Sequence, residues 1–393
     1  MNKNVSLKIK ISLLLLATMG IMSGVAVVAS LPLISSHFSD IPNIEFLSKL
    51  MLTIPSLIVA ISAPISGIII DKIGRLKPMY LGVVLFILGG SSGFYLDNFY
   101  LILVGRAVLG LSVALIMTSS LALIADYFEG EERTKFMSLQ GMLVGLGGVV
   151  FVSSGGYLAD FGWTYPFLIY ALPIVFLPLI FTAFKESSET HFVEFEATDA
   201  IKVSLLPVYI TGFFSMLLFY MLPTQMPYLV IGTLHGTPSD IGHFIAFAML
   251  VNALVARQYS RLKSHFSFQG IFVITYLFFA VGLLVISQVS SVNQIYFASL
   301  FMGVGFGLVL VNINVWLLSL VEPNQRGKAI GILTSSFFFG QFFSPIVFQP
   351  IISYLGVQEL FFVVSILCFI IAIVVYVFTA IRKSRSSTIS SRT

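Results

Sequence analysis

Residues 67 to 78 form one charged turn between two apolar runs: Gly67-Ile-Ile-Ile-Asp71-Lys72-Ile-Gly74-Arg75-Leu-Lys77-Pro78. Glycine tolerates close backbone approach and sharp turns, so Gly67 and Gly74 predict a tight passage from one helix to the next. Asp71 is expected to accept hydrogen bonds from backbone amides at a helix start, where negative charge is favoured. The pattern predicts a short loop between two membrane-spanning helices.

The composition of the whole chain agrees with a membrane protein. Hydrophobic residues make up 58% of the 393 positions and charged residues only 10%, against about 25% in an ordinary soluble domain. A spanning helix needs about 20 mostly apolar residues. Twelve such runs occur, at 11–36, 48–70, 77–96, 99–125, 136–158, 164–184, 203–231, 240–256, 268–290, 292–320, 329–354 and 357–381. These runs predict an all-α membrane protein with twelve transmembrane helices.

One polar stretch divides the chain almost in half. It predicts a linker at residues 185–202, between an N-terminal six-helix bundle (1–184) and a C-terminal six-helix bundle (203–381). A short basic tail, 382–393, follows the last run. The loop after the fourth run and the loop after the tenth both carry Glu-x3-Arg-x-Lys, beginning at Glu129 and at Glu322. Two repeated halves predict two pseudo-symmetric bundles that rock against each other around a midplane site.

The distribution of Lys and Arg predicts the orientation. Nineteen of the 21 basic residues lie at the termini or in the loops that follow even-numbered runs. Lys49 is the only one at the other ends of the runs, and Arg106 lies inside the fourth. Basic loops stay in the cytoplasm, so both termini are expected there. The net charge of +4 therefore reflects topology, and no nucleic-acid partner is expected.

The segment 67–78 closely resembles the signature Gly-x3-Asp-(Arg/Lys)-x-Gly-Arg-x-(Arg/Lys) of the major facilitator superfamily of transporters. Span count, central linker and paired loops resemble the same family over nearly the whole chain. The resemblance implies a conformational latch that favours the outward-open state, with Arg75 paired to an acid at the cytoplasmic end of the fourth span. The residues assigned to this latch are Gly67, Asp71, Lys72, Gly74, Arg75, Lys77, Asp126 and Arg133.

Arg106-x3-Gly110 resembles the fourth-helix motif of the twelve-span drug/proton antiporters, which implies a role in proton coupling. The alternative is structural, because a buried guanidinium is costly unless it finds partners, and carbonyl groups of the first span would supply them. The fifth span departs from the antiporter pattern, with Phe151 and Val152 where a Gly-Pro pair is usual.

None of the 17 acidic residues lies near the middle of a predicted span. The support for proton coupling is therefore weakened. Asp40 and His243 are candidate proton carriers.

Uncharged polar residues at membrane depth are candidates for the substrate cavity. The run from Phe219 to Tyr228 holds two prolines four residues apart, and prolines free backbone carbonyls that line cavities in membrane helices. The run resembles the seventh helix of bacterial drug and metabolite exporters. The candidates are Tyr220, Gln225, Asn252, Asn312, Asn314 and Gln341, each equally compatible with helix–helix hydrogen bonding. An aromatic cavity with few charges suits a neutral or weakly cationic amphipathic ligand.

These features predict a monomeric secondary transporter in the bacterial inner membrane. It is expected to export a small amphipathic drug, siderophore or metabolite by alternating access in exchange for protons, without a metal or cofactor. Uptake, or uncoupled diffusion of a small neutral solute, is the alternative. The sequence has no Gly-x4-Gly-Lys-(Ser/Thr) loop, no metal-binding motif and no continuous polar helix face, which disfavours a pump driven by ATP, an enzyme and a channel.

Overall fold

The computed structural model describes residues 5–184, 205–322 and 325–390, and their regular structure is helical. The predicted linker, 185–202, lies outside the described residues. Eleven of the described helices are long and apolar enough to cross a membrane, and the shorter apolar helix Leu76–Gly90 supplies a further crossing. The prediction of twelve spans is confirmed, and we number them 1 to 12 in chain order.

Of the first six spans, spans 1, 3 and 6 are interrupted where glycine, proline or serine weakens the helix, and spans 2, 4 and 5 are continuous. Span 1 breaks at the 3-10 turn Val28–Ser30, just before Pro32 in the first turn of its second part. The bounds are Leu7–Val25 with Leu31–His37 (span 1), Ile44–Ile73 (2), Leu76–Gly90 with Ser92–Tyr95 (3), Phe99–Tyr127 (4), Gly130–Ala159 (5), and Tyr165–Ala171 with Pro173–Ala183 (6).

Spans 7 to 12 make up the second half of the protein. Their bounds are Leu206–Tyr228 with the π turn Leu229–Thr233 (span 7), Pro238–Lys263 (8), Phe268–Ser287 (9), Val292–Leu320 (10), Arg326–Leu355 (11) and Val357–Ser390 (12). The membrane-crossing part of span 12, Val357–Ile381, agrees with the predicted run 357–381, and the helix itself continues to Ser390. No glycine or proline follows Gly356 in the sequence, so no residue there breaks the helix.

Short polar residues start several spans by satisfying free backbone amides. The Asn98 side chain accepts from the amide of Leu101 at 3.2 Å, at the start of span 4. Thr237 and Asp240 form a reciprocal capping box at the start of span 8. At the other end of a span, Gly74 terminates span 2 with φ of +88°, which is the sharp turn that the sequence predicts.

The two halves repeat each other in their helix packing. A Cβ added to Gly110 in span 4 would lie 2.6 Å from the Pro55 carbonyl oxygen of span 2. A Cβ added to Gly303 in span 10 would lie 2.6 Å from the Ala248 carbonyl oxygen of span 8. Gly303 follows Gly110 by the same number of residues as Ala248 follows Pro55, so spans 8 and 10 pack as spans 2 and 4 do. Small residues at such crossings bring helix backbones together.

We call the end of the bundle that carries Gly74, Phe128 and Ser264 the basic face, and the other end the opposite face. Span 5 shows how the halves meet. Towards the opposite face, Gly156 packs so closely on Gly242 of span 8 that an added Cβ would lie 3.1 Å from the Gly242 Cα. Nearer the basic face, a Cβ added to Gly141 or Gly145 would meet no atom within 4 Å. The halves are therefore in contact at the opposite face and apart at the basic face.

We expect Gly303→Leu to destabilise the protein by about 1–3 kcal/mol, because spans 8 and 10 must separate to admit the side chain. Thermal unfolding of the purified protein in detergent measures this loss. Gly141→Leu is the matched control and should unfold at the temperature of the native protein, since the structure leaves open space at that position. Equal unfolding temperatures for the two variants would contradict the packing described.

Candidate functional site

A cavity of about 450 Å³ lies at the middle of the bundle between the two halves. Spans 1, 2, 4 and 5 contribute to it from the first half, and spans 7, 8, 10 and 11 from the second. Most of its lining is aliphatic, aromatic or methionine, and no Asp, Glu, Lys, Arg or His among the described residues belongs to it. Its polar lining consists of Ser23, Ser56, Ser120, Gln140, Tyr220, Asn252 and Gln341. The cavity is therefore mostly apolar, with a few uncharged hydrogen-bonding groups.

Three predicted cavity residues line this space: Tyr220, Asn252 and Gln341. Tyr220 and Gln341 approach each other through span 2, because the Ser56 hydroxyl donates to Gln341 Oε1 at 2.7 Å and lies beside the Tyr220 hydroxyl. A Cβ on Gly24 of span 1 would stand 3.0 Å from the Tyr220 hydroxyl oxygen. These groups form a polar cluster on the cavity wall that joins four spans.

The other three predicted cavity residues do not line this space. Gln225 is fully buried, with no hydrogen-bond partner for either amide atom among the described residues. It is five positions from Tyr220 on one helix, and about 140° of rotation turns it away from the cavity.

Asn312 joins three spans instead, accepting from the Tyr259 hydroxyl at 2.8 Å and donating to the Phe268 carbonyl at 3.0 Å. Asn314 donates to the carbonyl of Leu310 in its own helix, at 2.8 Å.

Arg106 is fully buried and is held by backbone carbonyls. Its Nε donates to the Met51 carbonyl at 3.1 Å, and its Nη2 donates to the Ser23 carbonyl at 3.0 Å. The guanidinium carbon lies 5.2 Å from the centre of the Tyr170 ring. Nη1 has no hydrogen-bond partner, and no ion pair of this arginine occurs in the part of the chain that the structure describes. Arg106 therefore ties spans 1 and 2 to span 4 and keeps its positive charge unbalanced.

Gly110, assigned with Arg106 to coupling, lies in the tight crossing of spans 2 and 4 described above. Its position is explained by backbone packing against Pro55 and Ile58. It is one turn of helix from Arg106, so the close crossing also fixes the depth at which the guanidinium meets span 2.

Lys49 is a site residue that sequence reasoning took only as a marker of topology. Its side chain is fully buried. Its Nζ lies 2.6 Å from Oε1 of Glu45 in the preceding helical turn, and the Glu45 side chain is 44% exposed. Lys49 Nζ also donates to Gln349 Oε1 of span 11 at 2.9 Å and lies 4.5 Å from the centre of the Tyr228 ring of span 7. One ammonium therefore links the two halves at the opposite face. An isolated lysine before an apolar run was the only signal for it.

Further polar contacts surround Lys49 at the opposite face. The Ser35 and Tyr228 hydroxyls share a hydrogen bond of 2.8 Å between the halves. The Asp160 carboxylate accepts from the Ser239 amide at 3.2 Å and from the Ser239 hydroxyl. We call Lys49, Glu45, Gln349, Ser35, Tyr228, Asp160 and Ser239 the opposite-face gate. In this conformation the gate is closed.

The predicted latch lies at the basic face. Arg75 Nη1 stands 2.8 Å from Asp126 Oδ2, so the predicted ion pair is present. Asp71 lies in the last turn of span 2, so the expected helix start is wrong, and its exposed carboxylate has no partner among the described residues. Lys72, Lys77 and Arg133 are exposed. The expected close passage at Gly67 is absent as well, since an added Cβ would meet no atom within 4 Å where the halves stand apart.

The two candidate proton carriers lie outside the cavity. Asp40 and His243 are both exposed, and neither makes an ion pair with a described residue. Within the described ranges, no three His, Cys, Asp or Glu side chains come together as a metal site.

Spans 2 and 11 each carry a gate residue, a cavity residue and a glycine in open space, in that order from the opposite face to the basic face. On span 2, Lys49 closes the opposite face, Ser56 lines the cavity seven residues later, and Gly67 stands free eleven residues beyond it. On span 11, Gln349 accepts a hydrogen bond from Lys49, and Gln341 accepts one from Ser56. Near the basic face, a Cβ added to Gly331 would have no atom within 4 Å. Intervals of seven and eleven keep the three span 2 positions on one helix face. The cavity is therefore sealed from one side of the membrane and open towards the other.

Comparison with known proteins places these features in a family. The model of the Major Facilitator Superfamily matches the chain twice, over residues 11–209 and 208–393. The chain is 25% identical over 304 residues to Multidrug resistance protein 2 of Bacillus subtilis (strain 168), covering 72% of this chain and 74% of that protein. It is 32% identical over 119 residues to Quinolone resistance protein NorB of Staphylococcus aureus (strain Newman), 28% of this chain and 26% of that protein.

A solved structure of similar fold is a bacterial homolog of the human lysosomal transporter Spinster, in an inward-facing and occupied conformation. Its TM-score is 0.77, and the match covers 97% of this chain and 98% of that one. The sequences are 14% identical, so the likeness is one of fold. Family and fold together identify a transporter and not an enzyme.

We expect Lys49→Met to open the gate more often, because methionine is unbranched and nearly as long as lysine but removes the hydrogen bond to Gln349. Losing about 1.4 kcal/mol from the closed state would raise the open population about tenfold. The measurement is the rate at which an impermeant maleimide, added at the opposite face of sealed vesicles, labels Val28→Cys in a Cys368→Ala background.

Lys135→Met is the control, since Lys135 pairs with Glu131 on the surface at the basic face. In this control, Val28→Cys should be labelled at the same rate as in the protein that keeps both Lys49 and Lys135. A labelling rate for Lys49→Met no faster than this control would contradict the gate.

Proposed function

This chain belongs to the Major Facilitator Superfamily, and we propose that it exports a small amphipathic molecule across the bacterial cytoplasmic membrane in exchange for protons. The observation that carries the proposal is the uncharged, mostly apolar cavity between two halves that meet at the opposite face and stand apart at the basic face. Such a cavity admits a molecule from one side of the membrane only. Transport then requires the halves to rock, so that the gate opens and the basic face closes.

The orientation follows from charge. Loops rich in Lys and Arg remain in the cytoplasm, so we place the basic face and both termini there. The cavity is then open to the cytoplasm, where an exporter collects its substrate. Relatives named for multidrug resistance and quinolone resistance support export over uptake. We infer a monomer, because one chain contains both halves of the cavity.

The gate and the latch stabilise different conformations of the transport cycle. In the conformation described, the gate is closed. The halves are apart at the basic face, and the Asp71 carboxylate is exposed there. When the halves close at the basic face, we propose that Asp71 gains partners across the cleft, while the Arg75–Asp126 pair holds spans 3 and 4 together. The latch then stabilises the state that is open outwards, and this offsets the breaking of the Lys49–Gln349 hydrogen bond.

Arg106 is the proposed coupling residue. It touches span 1 at Ser23 and span 2 at Met51, so a change of charge near the cavity would reach both spans through one guanidinium. Its unpaired Nη1 leaves one donor for a group that arrives during the cycle. The charge stays on the arginine itself, because a guanidinium does not give up its proton in proteins. The proton must therefore be carried by another group.

Uncoupled diffusion of a small neutral solute, in either direction, is the second candidate function. The observation in its favour is that no carboxylate lines the cavity in the part of the chain that the structure describes. A facilitator needs only the cavity and the gate. Proton flux separates the two functions.

We expect Asp71→Asn to slow transport about tenfold by weakening the state that is closed at the basic face. Substrate efflux from proteoliposomes measures the rate, and maleimide labelling of Ser120→Cys from the basic face measures the conformational balance. Glu131→Gln, at the same face, is the control and should change neither. Unchanged efflux and unchanged labelling in Asp71→Asn would mean that these charges only set topology.

We expect substrate-dependent proton movement in reconstituted vesicles, recorded by an internal pH dye. Arg106→Ala should abolish it, and Arg106→Lys should alter its dependence on pH, because lysine cannot reach two carbonyls in the same fork geometry. Normal transport by Arg106→Lys across a pH series would contradict the coupling role. Substrate movement without proton flux in the native protein would favour the uncoupled facilitator.

A further inference from the structure

We propose that the central cavity accepts uncharged and singly negative amphipathic molecules and rejects cations. This inference rests on the proposed function, because it names the substrate class of the same cavity. It departs from the weakly cationic ligand that the sequence allowed. Three observations carry it: the charges around the cavity, the hydrogen-bonding groups on its wall, and the place of Arg106 behind that wall.

The charge balance at membrane depth is positive. Among the described residues, no acidic side chain lines the cavity, and the two fully buried basic side chains are Lys49 and Arg106. Lys49 is neutralised by Glu45 at 2.6 Å. Arg106 has no acidic partner among the described residues, and its contacts are uncharged carbonyls and the Tyr170 ring. A ligand in the cavity therefore meets one unbalanced positive charge in a medium where charges are weakly screened.

Arg106 stands directly behind the cavity wall. Its Nη2 donates to the carbonyl of Ser23, and both Ser23 and Gly24 line the cavity. The Tyr220 hydroxyl lies against Gly24 on the other side of this strip of backbone. One layer of main chain thus separates the guanidinium from the cavity. A cation placed there would be repelled, and no carboxylate among the described lining residues offsets the repulsion.

The polar groups on the wall include free hydrogen-bond donors that suit a ligand with a carbonyl, hydroxyl or anionic group. Gln341 Oε1 is already occupied by the Ser56 hydroxyl, whereas Gln341 Nε2 has only the Met216 sulfur at 3.8 Å, a weak acceptor. The Ser120 hydroxyl also lines the cavity and has no partner among the described residues. The wall therefore presents amide and hydroxyl donors to a carbonyl, hydroxyl or monoanion. An ammonium, which only donates, finds uncharged oxygen acceptors, such as the amide oxygens of Gln140 and Asn252, but no carboxylate among the described lining residues.

The test compares tetraphenylphosphonium with tetraphenylborate, two ions of nearly equal size and opposite charge. Binding of each to the full chain in lipid nanodiscs is measured by equilibrium dialysis, with empty nanodiscs subtracted. We expect the anion to bind about tenfold or more tightly than the cation. Tighter binding of the cation, equal binding of the two ions, or binding of neither, would overturn the proposal.

Asn252→Asp adds one negative charge to the cavity wall with almost no change in shape. We expect it to raise affinity for the cation and lower affinity for the anion, which would reverse or abolish the preference. Asn293→Asp adds the same charge at the start of span 10, outside the cavity, and should leave the preference unchanged. A preference that shifts equally in both variants would show that net charge decides it, and would overturn the proposal.

Arg106→Gln should reduce the preference for the anion. Should that variant not fold, the two asparagine variants carry the test by themselves. Failure of the proposal is distinguishable from failure of the proposed function. If the protein exports compounds but binds both ions alike, charge selection is wrong and export stands. If the native protein binds the anion selectively but moves no compound across proteoliposomes, export is wrong and the cavity's charge selection stands.

Discussion

The absence of water inside the bilayer constrains this protein more than any other condition, because each polar group at that depth needs a partner within the chain. Arg106 meets the constraint by donating to the carbonyls of two other spans, and Asn312 meets it by joining spans 8, 9 and 10. Lys49 meets it partly through a hydrogen bond between the halves. The hydrogen bonds of Arg106 hold the first half rigid, and those of Asn312 hold the second half rigid. The hydrogen bond of Lys49 joins the two halves, so it must break when they rock. The cost of leaving Lys49 and Gln349 unpaired thus enters the equilibrium between the two conformations.

Rigid halves and a breakable interface together explain the cavity. Spans 2 and 4, like spans 8 and 10, cross at glycines too closely for either pair to slide. Between the halves, the polar contacts described are those of the opposite-face gate and the Ser56–Gln341 bond on the cavity wall. The cavity is the space left between two bodies that touch at one end. Closing the other end requires no change inside either half, which is the physical basis of alternating access.

Much of the fold was predictable from sequence, because about 20 apolar residues form a span wherever they occur. The Arg75–Asp126 pair was predictable as well, through the resemblance of residues 67–78 to the superfamily signature. Which face of a helix meets the cavity was not predictable. Tyr220 lines it and Gln225 does not, although both lie in span 7. Lys49 was missed because its partners on spans 7 and 11 are about 180 and 300 residues away, and no local pattern records them.

The claim that the two halves rock about this cavity is tested most directly by measuring two distances in the same protein. Spin labels at Gly141 and Gly331 report the separation of the halves at the basic face, and labels at Tyr100 and Tyr354 report it at the opposite face, each pair in a Cys368→Ala background. The account predicts that a transported compound, or a change of pH, shortens the first distance and lengthens the second. Two distances that stay constant during transport, or that change in the same direction, would contradict it.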